Sequence, residues 1–297
     1  MRFSVIIPTY NRVDRLQECL QAVLHQTISR QDYEVIVVND GSADGTAEFL
    51  TRAEQEYGIT HVLLTDLGIA ASRNRGASAA RGEILAFVDD DCCVPPTWLS
   101  HLEHALRDSQ SLLVFGNVHN VLTENIFSAV HHAMNQYLVK RMNTESNNPG
   151  FVLTCSFACR KPVFEQYGGF DERFYFGSED RELITRLRTA GERIRFEPDI
   201  VAKHRHAFSF WSFVRYYMKL GKASYLYFHH VNKEKQYGLH PPTVPDILQR
   251  ILSPATGQSV TRNILMIAVA FLAHFSLVLG YLSGVWNTPP PTRSSTQ

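Results

Sequence analysis

Short runs of apolar residues alternate with segments of helical periodicity in the first third of the chain. Phe3–Ile7 and Glu34–Val38 are almost entirely apolar, which is typical of strands buried on both faces. Apolar residues between Val13 and Val23 recur at steps of three and four, which predicts a helix with one buried face. The same alternation predicts further helices at Asp44–Tyr57 and Ile69–Arg81, and further strands at His61–Thr65 and Ile84–Val88.

This order of elements predicts the fold class. Strands that alternate with helices pair in parallel and are joined by right-handed crossovers, so we expect an α/β fold with helices on both faces of the sheet. Ligands in such sheets bind beyond the carboxyl ends of the strands. The residues that follow each predicted strand are therefore the first candidates for a functional site.

The pattern changes in the middle of the chain. It predicts strands at Leu112–Val118, Phe151–Ala158 and Arg193–Glu197, and helices at Glu124–Met142 and Ser178–Ala190. We expect this mixed portion to extend the first sheet and to close over one side of it. Residues 208–235 are rich in aromatic side chains and predict a further helix whose rings pack on this body. His131 and His132 fall in a predicted helix, where we expect packing and surface roles rather than a pair of metal ligands.

Three segments follow residue 235, and we expect residues 1–235 to form the main domain. Residues 236–262 contain several prolines and have the composition of a linker. Residues 263–286 are apolar apart from Asn263, His274 and a few serines, and they are long enough to span a membrane. An interfacial helix and an oligomer contact are the alternatives for this segment. Residues 287–297 have the composition of a disordered tail.

The flanking charges predict the side of the membrane on which the main domain lies. Arg250 and Arg262 precede the apolar segment and Arg293 follows it, which favours a cytoplasmic main domain. Met1 and Arg2 lead directly into the first predicted strand, without the apolar region of a secretory signal. We therefore expect a cytoplasmic main domain, with the apolar segment as its candidate attachment to the inner face of the cell membrane.

Composition excludes several classes of function. The chain has 297 residues with 29 Lys+Arg and 29 Asp+Glu, so no overall field favours a nucleic-acid partner. An anionic substrate must therefore be bound locally, by a metal ion or by a few arginines. The cysteines contain no CxxC pair, which supports neither a disulfide framework nor a zinc site. They are Cys19, Cys92, Cys93, Cys155 and Cys159.

Three consecutive carboxylates, Asp89, Asp90 and Asp91, follow the predicted strand Ile84–Val88. In an extended segment alternate side chains point the same way, so Asp89 and Asp91 could face one point. Two converging carboxylates repel each other unless a cation neutralises them, and Mg²⁺ or Mn²⁺ would keep open positions for phosphate oxygens. A solvated acidic turn before the next helix is the alternative for the triplet taken alone.

Polar residues also follow the other predicted strands. They occupy positions 8–11 after the first strand, 39–42 after the second and 72–76 in the third helix. Each set has a purely structural explanation: Asn11 could cap a helix, Asp40 could shape a turn, and Arg73 could be a surface charge. Because all of them would gather at one edge of the sheet beside Asp89 and Asp91, together they favour a ligand site.

In this order, these motifs resemble those of the family-2 glycosyltransferases over roughly residues 3–206. The residues that carry the resemblance are Val5-Ile6-Ile7-Pro8-Thr9-Tyr10-Asn11, Val37-Val38-Asn39-Asp40-Gly41-Ser42, Arg73-Asn74-Arg75-Gly76, Gly82-Glu83, Asp89-Asp90-Asp91, Gly168-Gly169-Phe170-Asp171-Glu172, Glu179-Asp180-Arg181-Glu182-Leu183 and His204. The resemblance implies the GT-A fold, a Rossmann-like mixed sheet flanked by helices, here with a C-terminal helical extension. It also implies transfer that inverts the anomeric configuration.

The resemblance further implies roles for single residues. Those implied to border the donor nucleotide are Pro8, Thr9, Tyr10, Asn11, Asp40, Arg73, Asp89 and Asp90, with Asp40 accepting from a uracil-type ring. A divalent metal, Mn²⁺ or Mg²⁺, is implied at Asp91, Asp89 and His204, with His206 as the alternative histidine. Many relatives have Asn where this chain has Ser156, which leaves the acceptor contacts less defined than the donor site.

Glu179 and Asp180 are the acid–base candidates. Direct displacement at an anomeric carbon requires a base that takes the proton of the acceptor hydroxyl. A carboxylate at a helix N-terminus suits that role, and the resemblance favours Asp180 as the base with Glu179 in support. Helix capping, with the carboxylates complementing the helix dipole, is the structural alternative.

These features predict an inverting transferase that moves a hexose from a nucleoside-diphosphate sugar, with a UDP-type donor favoured, to a hydroxyl of a saccharide or lipid-linked acceptor. A sugar nucleotidyltransferase of similar topology is one rival, although such enzymes carry a Gly-rich loop where this chain has Pro8-Thr9-Tyr10-Asn11. A non-catalytic nucleotide-binding assembly protein is another, although it would be expected to lose the carboxylates at 89, 91, 179 and 180.

Overall fold

The computed structural model describes residues 1–107, 112–142, 152–153, 155–230, 244–252 and 259–287. The strands are β1 (Phe3–Thr9), β2 (Tyr33–Asn39), β3 (Thr60–Leu63), β4 (Ile84–Val88), β5 (Cys92–Cys93), β6 (Leu113–Asn120), β7 (Ser156–Arg160) and β8 (Ile194–His204). The α-helices are α1 (Val13–Leu24), α2 (Thr46–Tyr57), α3 (Ile69–Ala79), α4 (Trp98–Leu106), α5 (Ile126–Met142), α6 (Lys161–Gln166), α7 (Glu179–Thr189), α8 (Phe210–His230), α9 (Val244–Leu252) and α10 (Val260–Asn287).

The eight strands form one mixed sheet in the order β3-β2-β1-β4-β7-β6-β8-β5. The first half is parallel, since β1 pairs in parallel with both β2 and β4, and β2 pairs in parallel with β3. The carboxyl ends of β1, β2 and β4 therefore meet at one edge. Strand β7 is antiparallel to β4 and β6, so the middle of the chain extends the sheet, as the sequence predicts. The mixed α/β architecture is confirmed.

Two apolar layers cover the faces of this sheet. On one face, Val5 and Ile7 of β1 pack with Leu16 and Leu20 of α1. The intervening Ile6 points to the other face, where it belongs to the cluster that includes α3 and α7. The buried residues of α1 follow the three- and four-residue steps of the sequence, so the predicted helix face is confirmed.

The strand predicted at Phe151–Ala158 is wrong at its N-terminal end, because β7 begins only at Ser156. Val152 and Leu153 lie outside the strand, and 151 and 154 are outside the described residues. Their apolar character serves packing rather than strand pairing. Val152 is buried in the core and Leu153 lines a cavity beside the sheet.

The strand predicted at Arg193–Glu197 ends too early, because β8 continues to His204. The predicted strand ends just before Pro198, because proline has no N–H to donate to the hydrogen bonds of a sheet. The structure accommodates this proline in a bulge, since the register between β6 and β8 shifts between Phe115 and Asn117. A Cβ atom at Gly116 would lie 1.8 Å from the carbonyl oxygen of Ile200, so only glycine permits this approach.

A third apolar cluster joins the helices α5, α8, α9 and α10, and includes Met134, Tyr217, Ile251 and Ala270. Within residues 236–262, which have the composition of a linker, 244–252 form α9 and 260–262 begin α10. Pro245 is compatible with α9 because it lies in the first turn. Residues 236–243 and 253–258 are outside the described residues.

The predicted apolar helix at 263–286 lies within α10. In the described part of the chain, α10 is the one helix long and apolar enough to cross a membrane, with a mean hydropathy of 2.2. The predicted aromatic helix at 208–235 corresponds to α8, although 231–235 lie outside the described residues. The predicted tail lies outside them too, except that Asn287 ends α10.

Candidate active site at the carboxyl edge of the sheet

A cavity of about 580 Å³ lies at the edge where β1, β2 and β4 end. All the predicted site residues except Asn11 line it, together with His206. They come from the ends of β1, β2 and β4, from α3 and α7, and from the end of β8. The predicted residues in its lining are Pro8, Thr9, Tyr10, Asp40, Arg73, Asp89, Asp90, Asp91, Glu179, Asp180 and His204.

The consecutive aspartates Asp89 and Asp90 bind different partners. The carboxylate of Asp89 accepts a hydrogen bond from Arg73 at 2.7 Å. Asp90 accepts from the Thr9 hydroxyl at 2.8 Å and from Arg12 at 3.0 Å. The expectation that Asp89 and Asp91 converge on one point is therefore not met. The chain is not extended there but turns, with the backbone N–H of Cys92 donating to the carbonyl oxygen of Asp89 at 3.0 Å.

Asp91 is the most highly connected of the three. Its side chain is 5% exposed and lies 3.0 Å from the guanidinium of Arg12 and 3.1 Å from Nε2 of His204. Nδ1 of His206 is 3.9 Å from Oδ2 of Asp91. The strand pairing of β5 with β8 places Cys92 opposite His204, which brings this histidine beside the acidic turn.

Burial and charge act in opposite directions on these groups. Burial favours the neutral form of Asp91, but His204 and Arg12 outweigh it and hold the pKa of Asp91 well below its usual range. Burial raises the pKa of Asp90 to about 6 despite the nearby Arg12. For His204, burial lowers the pKa, but the adjacent Asp91 carboxylate raises it to about 9. His206 lacks so close a partner, and burial lowers its pKa to about 3.

The chemistry of this cluster fits a divalent cation. Among the described residues, Asp91, Cys92 and His204 offer ligand atoms within 4.8 Å of one another. Burial and a hydrogen bond with Cys155 raise the pKa of the Cys92 thiol well above its usual value, so Cys92 is a poor thiolate ligand. One carboxylate and one imidazole remain, and both groups are common ligands of divalent cations in proteins. Asp89 is not part of this group.

Arg73 joins two acidic elements at the floor of the cavity. Its side chain is 2% exposed and donates to Asp89 at 2.7 Å and to Glu179 at 2.6 Å. The guanidinium also lies over the ring of Phe170. Arg73 thus binds one carboxylate with each terminal nitrogen and holds the end of β4 and the start of α7 together.

Helix α7 begins at this point with three acidic residues in its first turn, Glu179, Asp180 and Glu182. Carboxylates are favourable there because they face the positive end of the helix dipole. Burial and the neighbouring Asp180 raise the pKa of Glu179 to about 7, against the opposing effect of Arg73. Among the described residues, Oε2 of Glu179 has no hydrogen-bond partner. Asp180 is partly exposed to the cavity and accepts from the backbone N–H of Arg181 at 2.7 Å.

Asp40, at the end of β2, shapes a wall of the cavity. Its two carboxylate oxygens accept from the backbone N–H groups of Leu67 at 2.8 Å and Gly68 at 2.7 Å. Each oxygen therefore keeps a further lone pair for a ligand. Tyr10 and Tyr175, each about half exposed, also line the cavity, and Tyr175 hydrogen-bonds to Asp66.

Asn11 is the predicted site residue that the cavity does not include. It adopts a positive φ of 53°. Its side-chain oxygen accepts from the backbone N–H of Ala43 at 2.7 Å, and its own backbone N–H donates to Ser42. Asn11 thus ties the loop after β1 to the loop after β2, and it lines an adjoining cleft.

Helices α5, α8 and α10 form the far end of the cavity. Leu138 of α5, Leu220 of α8 and Leu277 of α10 line it, and the same helices also contribute the polar residues His132, Asn135 and Ser224. Lys219 of α8 lines the cavity too, with its Nζ 5.0 Å from the centre of the Phe176 ring. His131 is buried against Tyr217, so the expected packing role is confirmed for that histidine. Ser156 is fully buried and accepts from the Trp98 indole N–H at 2.9 Å, outside the cavity lining.

Sequence reasoning assigned no role to Arg12, Lys219 or Leu277. Arg12 could have been found, because it directly follows the motif Pro8-Thr9-Tyr10-Asn11 and is the cation nearest in sequence to that strand end. Lys219 and Leu277 lie far along the chain in helices of ordinary composition. No local pattern marks them as neighbours of Asp180.

Comparison with known proteins identifies related sequences. The model of Glycosyl transferase family 2 matches residues 4–168. Glycosyltransferase AglE of Haloferax volcanii is 32% identical over 203 residues, which cover 68% of this chain and 66% of that protein. Validoxylamine A glucosyltransferase of Streptomyces hygroscopicus subsp. jinggangensis is 30% identical over 217 residues, which cover 63% of this chain and 51% of that protein. The chain thus spans between half and two thirds of the length of these curated relatives.

Solved structures share the fold. Mannosyltransferase PcManGT from Pyrobaculum calidifontis, in complex with GDP-Man and Mn²⁺, superposes with a TM-score of 0.68 at 20% identity, covering 97% of this chain and 88% of that one. TarS 1–349 of S. aureus, in complex with UDP-GlcNAc, superposes with a TM-score of 0.55 at 16% identity, covering 95% of this chain and 89% of that one. These similarities confirm the predicted GT-A fold class.

Proposed function

The chain belongs to glycosyl transferase family 2, and on that premise we propose that it transfers a hexose from a nucleoside-diphosphate sugar to an acceptor hydroxyl with inversion at the anomeric carbon. The observation that carries the proposal is a single cavity that joins the strand-end carboxylates to Asp180. Asp91 and His204 lie on one side of this cavity and the first turn of α7 on the other. A diphosphate and an acceptor hydroxyl can therefore occupy one enclosed space.

Asp180 is the proposed base. Its carboxylate takes the proton of the acceptor hydroxyl while the oxygen forms its bond to the anomeric carbon. The bond from that carbon to the diphosphate oxygen breaks, and its electron pair leaves with the nucleoside diphosphate. The proton remains on Asp180 until it exchanges with solvent.

A single displacement inverts the anomeric configuration, and the surroundings of Glu179 support that outcome. A retaining route through a covalent intermediate needs a second, ionised carboxylate as the nucleophile. Glu179 is the nearest candidate in sequence, but it is buried against Arg73 and its pKa is raised to about 7. Glu179 is better suited to position the start of α7 than to attack the sugar.

The residues that would hold a divalent cation are Asp91 and His204, with Asp89 as the further predicted ligand. Such a cation supplies positive charge that offsets the negative charge developing on the departing diphosphate. His204 must be neutral to bind it, so proton and metal compete for this side chain. Arg12 neutralises Asp90 and Asp91 from the opposite side at 3.0 Å. PcManGT in complex with Mn²⁺ and GDP-Man supports a metal-dependent donor site.

Asp40 is the proposed partner of a uracil-type base. Each of its oxygens accepts one backbone N–H and keeps a lone pair that can accept from N3–H of uracil. Tyr10, with an exposed ring at the cavity wall, is the proposed stacking partner for the base. Thr9, Pro8 and Asp90 complete this wall.

The leucines at the far end of the cavity support a lipid-linked saccharide as the acceptor. Leu138, Leu220 and Leu277 offer contacts to a hydrocarbon tail, and Lys219, which also lines the cavity, can bind a phosphate. This acceptor agrees with the proposed location of the main domain at the inner face of the cell membrane, with α10 as the attachment.

A donor panel tests the proposal. UDP-, GDP- and dTDP-hexoses are incubated with the purified chain and Mn²⁺, and the released nucleotide is identified. We expect release of a nucleoside diphosphate, fastest from a UDP-sugar, and loss of release with a chelator. Pyrophosphate release would indicate a nucleotidyltransferase instead, and binding without any turnover would indicate an assembly protein. The anomeric configuration of the product, measured by NMR, tests inversion separately.

A further inference from the structure

Helix α10 has two faces of opposite character. Its buried positions recur at helical spacing and carry mostly small residues: Met266, Val269, Ala270, Ala273, Ser276, Gly280 and Gly284. Its exposed positions form the opposite stripe and are all apolar from Ile264 onward: Ile264, Leu265, Ala268, Phe271, Phe275, Val278, Leu279, Leu282 and Val285. No Asp, Glu, Lys or Arg occurs between Asn263 and Val285. The exposed stripe runs for roughly 30 Å along the helix.

The buried face is fixed against α8 by close backbone contact. A Cβ atom at Gly221 of α8 would lie 2.0 Å from the carbonyl oxygen of Leu277, and one at Gly280 would lie 1.9 Å from the carbonyl oxygen of Met218. Helix α8 in turn is anchored to the main domain, since Tyr217 hydrogen-bonds to His131 and Tyr227 to Thr185. Helix α10 is therefore held along the body of the protein with one side covered.

This packing separates two membrane geometries that length and composition allow equally. A helix that crosses a bilayer faces lipid or other membrane-embedded helices around its whole circumference. Crossing by α10 would carry α8 into the hydrocarbon, together with its exposed Arg215, Lys219 and Lys222. Burying several basic side chains there is costly. An orientation parallel to the membrane plane buries only the apolar stripe.

We propose that α10 lies in the plane of an anionic lipid bilayer, with its stripe of exposed apolar residues immersed in the outer hydrocarbon, and does not span it. Charge complementarity favours this occupant. Helix α8 packs against α10 and exposes Lys222 next to the contact residue Gly221, with Arg215 two turns earlier and the aromatic Trp211 at its start. Basic residues that flank an apolar helix face are typical of proteins that bind anionic lipid surfaces.

The same arrangement couples the surface to the cavity. Leu277 of α10 and Leu220 of α8 line the far end of the cavity, and Lys219 lies beside them. If the proposed function is correct, a lipid-linked acceptor reaches Asp180 from the bilayer along this end without leaving the lipid surface completely. The in-plane seating itself does not depend on the proposed function, since lipid binding requires no turnover.

Flotation of the purified full chain with preformed vesicles tests the proposal. Phosphatidylcholine vesicles with and without phosphatidylglycerol are compared for the wild-type chain, Phe271→Ser and Phe275→Ser. Leu63→Ser is the matched control, because Leu63 is 64% exposed but lies at the end of the edge strand β3. UDP binding by all four proteins is measured in parallel to verify that each is folded.

We expect the wild-type chain to float with anionic vesicles and to be released by alkaline carbonate, which extracts proteins that do not span the bilayer. Each phenylalanine substitution should lower partitioning by about tenfold or more, whereas Leu63→Ser should leave it unchanged. Resistance to carbonate would overturn the proposal in favour of a spanning helix. Absence of flotation would also overturn the proposal. If light scattering then showed a dimer that is lost in Phe275→Ser, the exposed stripe would be assigned to contact with a second copy of the chain. Failure of sugar transfer with normal flotation would count against the proposed function alone.

Discussion

The two ends of the cavity are built in different ways. At the sheet edge, nearly every charged group has a partner within 3.1 Å: Asp89 with Arg73, Asp90 with Arg12, and Asp91 with His204. At the helical end, Leu138, Leu220 and Leu277 line the cavity together with uncharged polar residues such as Asn135 and Ser224. The difference teaches that the donor end is fixed by paired charges on a rigid sheet, whereas the acceptor end is shaped by how helices pack. Substitutions at the two ends should therefore fail in different ways.

Asp180→Asn should produce the largest change in activity. Asp180 lies where the two ends of the cavity meet. Removing the base should lower kcat by roughly 10²- to 10⁴-fold. Affinity for the donor nucleotide should change little, because the charged groups beside Asp91 are Arg12, His204 and His206. Steady-state kinetics with a nucleoside-diphosphate release assay, combined with calorimetric UDP binding, separate the two effects. Undiminished transfer would show that another group is the base.

Asp91→Ala should affect the donor end alone. Loss of this carboxylate removes the principal metal ligand and leaves His204 without its 3.1 Å partner. A bound metal contributes several kcal/mol to stabilising transition-state charge, so we expect a loss of about 10²- to 10³-fold in kcat/KM. Unlike Asp180→Asn, this substitution should also abolish the Mn²⁺ dependence of UDP binding.

Asp199→Ala is the matched control for Asp91→Ala, because Asp199 is an exposed aspartate of the same sheet in the bulge of β8. Its activity and its response to Mn²⁺ should be those of the wild-type chain. If Asp91→Ala bound UDP-sugars as well as the parent with or without chelator, the assignment of the donor end would be wrong.

The two ends of the cavity also differ in how far the sequence predicts them. The strands β1, β2 and β4 are continuous apolar runs, and because their ends share one edge, nearly all the predicted site residues line one cavity. The direction of Asp89 was not predictable, since it depends on a turn at Asp90 that points neighbouring carboxylates to different arginines. A local motif predicts which residues lie at the same edge of the sheet, but not which side chains they form hydrogen bonds with.

For the helical end, the sequence predicts the helices themselves but not how they come together. Leu138, Leu220 and Leu277 lie in three separate helices, and their convergence depends on long-range packing that no local pattern encodes. The close contact of α8 with α10 depends on Gly221 and Gly280, which in sequence are ordinary helical glycines. The bulge that lets β8 pass Pro198 has the same origin, because it requires Gly116 on the neighbouring strand.

Glu179→Gln should change the pH dependence of stability. The folded pKa of Glu179, about 7, lies above its unfolded value of about 4.3, so the folded protein binds the additional proton between these values. Stability should therefore fall as pH rises from about 4.3 to 7, with the full penalty present above pH 7. Glutamine does not titrate, so the stability of the variant relative to the wild-type chain should increase between pH 5 and pH 8. Equal slopes of melting temperature against pH would contradict the raised pKa.

Gly221→Ala should have the smallest of these effects and should act on the helical end alone. Alanine is the better helix former by about 0.5–1 kcal/mol, so a purely local effect would stabilise α8. The new methyl group would instead lie 2.0 Å from the Leu277 carbonyl oxygen, and that backbone atom can move only if α10 shifts. We expect a net loss of about 1–2 kcal/mol in the free energy of unfolding, measured with denaturant. Lys222→Ala, at the exposed neighbouring position, is the control and should be neutral or slightly stabilising. Because Gly221 touches no residue of the acidic edge, UDP affinity should stay unchanged; a loss of UDP affinity would show that the two ends of the cavity are mechanically coupled.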